Sequence, residues 1–137
     1  MTSELNGNWT HRSFRNVDTP GAPVLAAPWA PEGALEVTTD ATGSVTGQLT
    51  FPLANKVLSV TGQIHDPVAA GVAAPWPMPA SVDLHAVTVK GAAEYRLRGW
   101  FIPNTKCIVG TVMVVKNDLA GAPDGTLGPW VLVEDKR

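Results

Sequence analysis

Asp83 and His85 stand two residues apart in a β-rich run over 82–90. A strand there would carry both on one side, where the carboxylate could orient or charge the imidazole for acid/base chemistry. A second polar row, His11, Ser13 and Arg15, follows Trp9 with the same period of two. Ser13 with His85 and Asp83 would complete a Ser-His-Asp set, but no nucleophile-elbow phrase surrounds Ser13 and spacing fixes no distance between the two runs. His11, His85 and Asp83 are therefore the candidate acid/base residues. The histidines His11, His65 and His85 show no HExxH, no paired Cys and no close His spacing, so the sequence predicts neither a metal nor another cofactor. Arg96 and Arg98 share one side of a later run with Trp100. Facing inward they would clamp an anion; facing outward they would form a solvated or subunit-facing stripe.

Eight strand-like runs must position these residues, at 5–16, 34–39, 44–51, 56–64, 82–90, 93–102, 107–116 and 130–134, with no helical run between them. Short turns join most of them, for example Asp40-Ala41-Thr42-Gly43 and Pro52-Leu53-Ala54-Asn55. Two Pro/Ala-rich stretches, 17–33 and 66–81, read as long loops, since proline cannot hold a ladder strand. They share the phrase Ala-Ala-Pro-Trp, ending at Trp29 and Trp76. Runs connected in sequence order make an all-β, eight-stranded antiparallel up-and-down barrel the simplest fold, a single domain over 1–137. In a meander the loops after the first and fourth strands lie at opposite ends, which puts Trp29 near the open mouth and Trp76 near the base. Gly47 and Gly62, each within Val-Thr-Gly-Gln, would permit the close approach that a tightly curved barrel needs.

The phrases GNWT, TGSVTGQLTF, VLSVTGQI and RLRGWFI, in this order, resemble the avidin and streptavidin barrel of the lipocalin-related calycin superfamily. The resemblance implies that Trp9 plugs one end of a cup, capped by Lys136 or Arg137. It also implies inward faces at Trp9, His11, Ser13 and Arg15; Val45, Gly47, Leu49 and Phe51; Asp83, His85, Val87 and Val89; Tyr95, Leu97, Gly99 and Phe101; and Thr111, Met113, Val115 and Asn117. The other reading of the fifth run puts Val82, Leu84 and Ala86 inside. Family register turns Arg96, Arg98 and Trp100 outward. The chain departs from the biotin-binding pattern at five places: His11 stands at an Asn position, Leu49 at a Tyr position, Phe51 at a Ser position, and Val89 and Met113 at Trp positions. Each unpaired buried polar group or lost aromatic wall costs about 1–3 kcal/mol, so tight biotin binding is not expected.

The 137 residues suit one domain, able to bury roughly two-thirds of its unfolded surface. A composition 45% hydrophobic and 16% charged, with net charge -2, is too apolar for disorder and lacks the basic stripe that nucleic acid requires. The single cysteine, Cys107, leaves no internal disulfide and reads as a small buried residue. No basic start with an apolar core follows Met1, and no run is long enough to span a membrane, so the expected location is cytoplasmic. The expected function is binding of a small, mainly apolar molecule. Its cup would be lined by His11, Ser13, Arg15, Trp29, Leu49, Phe51, Tyr95, Phe101, Met113 and Asn117. The alternative is a small cofactorless enzyme, a cyclase, isomerase or lyase, using a histidine in the same cup. A third is an assembly protein whose outer face, including Phe14, Trp100 and Val114, pairs with itself. A homodimer or homotetramer is the family-like expectation, with Trp100, Val112 and Val114 outward.

Overall fold

The computed structural model describes residues 5–16, 26–28, 32–52, 55–69, 71, 77–116 and 124–135, without the side chains of 15, 16 and 26–28. Its strands are β1 (Gly7–Asn16), β2 (Ala26–Pro28), β3 (Gly33–Thr39), β4 (Ser44–Phe51), β5 (Lys56–His65), β6 (Ser81–Thr88), β7 (Glu94–Phe101), β8 (Cys107–Lys116) and β9 (Leu127–Glu134). From β3 to β9 each strand pairs antiparallel with the next, and β1 pairs with both β3 and β9. That double pairing closes an eight-stranded up-and-down barrel and removes its sheet edges. The short β2 is additional: within a stretch expected to be loop, it pairs Ala26 to Pro28 with the far end of β1. A proline is tolerated in so short an outlying pairing because no central ladder depends on its missing N–H.

Turn chemistry sets the hairpins where the sequence suggests it. Asp40 Oδ1 accepts hydrogen bonds from the Thr42 hydroxyl and from the backbone N–H groups of Thr42 and Ser44, and these bonds hold its carboxyl below the usual range. Gly43 closes that turn at φ +84°, in the left-handed region. The last strand starts earlier than its apolar run suggests, because β9 passes through Pro129. Pairing with β1 ends at Ser13↔Trp130, so Pro129 falls where β9 no longer needs a donor on that side.

Inside, Leu35, Val45, Leu49, Leu58, Val60, Leu84, Leu97, Ile108, Val112 and Leu132 form one continuous core. Outside, β3 to β5 present Glu36, Thr38, Thr46, Gln48, Ser59 and Thr61 to solvent, so the alternation is apolar within and polar without. Two strands sit one residue away from the family-like register. On β6 the buried side chains are Val82, Leu84 and Ala86, while Asp83 and His85 point outward. On β8 they are Ile108, Val112 and Val114, while Thr111, Met113 and Val115 are exposed. A one-residue slip exchanges the whole face, and the face without charge wins the interior on β6. On β8 the choice follows Gly110. It lies opposite Gly99, and a Cβ on Gly110 would collide with the Arg98 carbonyl oxygen, so only glycine fits that inner position. Cys107 is half-buried rather than buried, on the outward side of β8.

Candidate functional site

Strand directions separate two ends. At one, Leu5 is fully buried beside Trp9, whose indole N–H donates to the Leu5 carbonyl at 2.9 Å. Asn6 Oδ1 accepts from the Thr39 N–H and Asp135 N–H donates to the Asn8 carbonyl, tying the chain across that end. Trp9 thus closes it as a side chain anchored to its own segment. The basic cap expected from Lys136 or Arg137 lies outside the described residues. Strands β1, β4, β6 and β8 all run toward the other end, the one expected to be the mouth, where they stop at Asn16, Phe51, Thr88 and Lys116.

His11 sits inside, 3% exposed, between Phe51 and Trp130. Its ring meets Phe51 edge-on at 5.5 Å between centroids. The Trp130 indole N–H donates to His11 Nδ1 at 2.7 Å, which makes Nδ1 the acceptor and leaves the proton on Nε2. Burial drives the His11 pKa down from 6.5 to about 3, so the imidazole is neutral at physiological pH. Among the described residues nothing bonds to Nε2. Ser13, two positions nearer the mouth on the same face, is 6% exposed, and its hydroxyl also has no partner among those residues. Glycines make room for the large rings: a Cβ on Gly33 would meet Phe51 at 2.9 Å, and one on Gly99 would meet Trp130 at 2.6 Å. Trp130, Phe51 and His11 therefore form a floor across the barrel, with Ser13 above it.

At the rim, Lys56 lies opposite Phe51 in the β4–β5 register and so shares its inward face. Its ammonium donates to Tyr95 Oη at 3.1 Å and stands 5.3 Å from the centroid of that ring. Tyr95 packs against the core, as expected for the inward face of β7.

The remaining expected residues divide clearly. Leu49 is buried in the core, and Phe101, also inward, stands at the closed end of β7, away from Tyr95. Met113 is outside, with Val115, for the register reason given above. The Arg15 side chain, Trp29 and Asn117 lie outside the described residues, as does Trp76. Asp83 and His85 do not meet His11 or Ser13; they face outward and make separate pairs. Asp83 accepts from Arg98 Nε at 2.6 Å and lies 3.0 Å from His65 Nε2. Partial burial works to raise the Asp83 pKa, but the bonds and charges of Arg98 and His65 outweigh it and hold the carboxyl below its ordinary value. His85 Nε2 lies 2.8 Å from Glu94 Oε2. Arg96 and Arg98 are exposed, as family register implies. With Asp83, Thr111 and Met113 they line a shallow outer groove of about 350 Å³ that also reaches Leu84 and Leu97.

Two residues of this site escaped sequence reasoning. Lys56 is legible from hairpin arithmetic, since a four-residue turn after inward-facing Phe51 puts Lys56 on the same face. Trp130 is legible from the alternation Gly128, Trp130, Leu132, which the preceding Gly-Pro pair masks as turn. Among the described residues no group of three or more His, Cys, Asp or Glu could hold a metal ion, and no helix is long and apolar enough to cross a membrane. No family model matches this chain, and no curated protein or solved structure matches it. The geometry alone is consistent with barrels of the calycin type.

Proposed function

We propose that the barrel binds a small, mainly apolar molecule at its mouth, above the floor formed by His11, Phe51 and Trp130. The observation that carries this reading is the pair of polar groups on the inward face of β1, His11 Nε2–H and the Ser13 hydroxyl, which belong to buried residues and bond to no described residue. Neither is among the sealed, unpartnered side-chain atoms of the described residues, which are Arg12 Nε and Thr39 Oγ1, so both are open to a small molecule or water inside the barrel that would take these bonds. The avidin-like part of the reading extends to wall plan and not to biotin. Leu49 and Phe51 replace polar or aromatic ligand contacts, and Met113 lies on the outer face.

The reading as a cofactorless cyclase, isomerase or lyase needs a group that titrates near the working pH inside the cup. His11, at about 3, does not supply it, and His85 stands outside beside Glu94. Binding without chemistry is the better supported reading. The test is titration with the neutral fluorophore 1-aminoanthracene. Uptake by the native chain should fall at least about tenfold in Ser13→Leu, which fills the space and removes the hydroxyl. Val109→Ser, on the outer face, should leave it unchanged. Equal uptake by Ser13→Leu and the native chain would sink the proposal.

A further inference from the structure

We infer that the cup selects ligands carrying a carboxylate, received at the rim by Lys56 in its Tyr95 seat. This rests on the cup reading above and adds to it the chemical class and the orientation of the ligand.

Lys56 is a half-buried cation on the inner face of the barrel, and among the described residues no carboxylate lies within ion-pair distance of it. A cation drawn partly out of water gains from an anionic partner that replaces the hydration it has lost. The nearest candidates by strand position are committed elsewhere: Glu32 to Arg12 at 3.7 Å, and Glu94 to His85 at 2.8 Å on the outer face. The ammonium has three N–H donors, of which the Tyr95 oxygen takes one. The phenol and the face of its ring therefore hold the charge in place over the mouth without neutralising it, leaving donors for an incoming anion.

The orientation follows from the second polar feature. Deep in the barrel, neutral His11 offers an Nε2–H, which suits an uncharged oxygen, and no described cation lies there to meet a carboxylate. Sinking an anion to that depth would forfeit hydration with no ion to replace it. The charged end thus stays at Lys56, where water still reaches, and the apolar body points toward Phe51, Leu58 and Trp130. The ligand class is an amphipathic monocarboxylate.

The experiment is isothermal titration of the full chain with octanoate and with 1-octanol, which share the chain and differ at the polar end. Native protein should bind octanoate about tenfold or more tightly than 1-octanol, the scale of one charge-assisted bond. Lys56→Met should abolish that preference while keeping 1-octanol binding, which also reports an intact cup, and Lys56→Arg should retain the preference. Equal affinity of the native protein for both probes overturns the inference and leaves the cup standing. Binding of neither overturns the cup reading and the inference with it. A preference that persists in Lys56→Met, with 1-octanol still bound, shows the carboxylate to be received elsewhere and overturns the assignment to Lys56.

Discussion

His11 couples the interior to solution pH. Its pKa falls from 6.5 to about 3 on folding, so the unfolded chain binds the extra proton between those values. The stability contributed by keeping the ring neutral is complete above about pH 6.5 and is lost progressively as pH falls toward the folded value. Between pH 7 and 5 the native protein should lose about 2 kcal/mol relative to His11→Asn, which keeps an acceptor for Trp130 but does not titrate. Urea unfolding of both proteins at the two pH values measures this, and taking the difference cancels His65 and His85. Parallel pH profiles for the two proteins would mean that His11 is not held neutral inside. At this scale the sequence is legible for His11 and Ser13, because Trp9 fixes the phase of β1. It is not legible for the partner of His11, since Trp130 is 119 residues away and only barrel closure brings it near.

At the scale of single strands, register decides which chemistry is inside. β6 carries Val82, Leu84 and Ala86 on one face and Asp83, His85 and Val87 on the other, so its own pattern leaves the choice open. The neighbours resolve it, because Arg98 and Glu94 on β7 and His65 on β5 meet the outward charges. β8 misleads for the opposite reason, being apolar on both faces, and its register depends on the contact of Gly110 with the Arg98 carbonyl. A side chain at Gly110 would press on backbone, which cannot rotate away. Gly110→Ala should therefore cost at least about 2 kcal/mol in denaturant unfolding. Gly71→Ala, where no described residue lies within 4 Å of the added carbon, should stay within about 0.5 kcal/mol of the native chain. Indistinguishable midpoints for the two variants would contradict the described β7–β8 pairing.

The whole barrel was legible from its eight runs, since strand-like runs in sequence order with no helical periodicity between them leave few other closed solutions. The outer surface was less so. Val112 and Val114, expected outside, are buried, and on β8 and β9 the exposed apolar side chains include instead Val109, Met113 and Val115 with Leu127 and Val133. Cross-strand pairing makes them one face, with Met113 beside Leu127 and Val109 beside Val131. We propose that self-association, if the chain forms the expected homodimer or homotetramer, uses this β8–β9 face. Light scattering should then show a mass that falls to one chain in Leu127→Glu/Val133→Lys. A native mass of a single chain, or an unchanged larger mass in the double variant, would remove that role.

The proposed ligand seat lies above Trp130, away from Trp9 and inside the barrel rather than along the outer groove by Arg96 and Arg98. Indole N–H resonances distinguish these places in one spectrum. On addition of 1-octanol, the Trp130 signal, held by its bond to His11, should shift and saturate, while those of Trp9 at the closed end and Trp100 on β7 stay fixed. A Trp130 resonance that does not move while that of Trp100 does would put the ligand on the outside of the barrel and contradict the account.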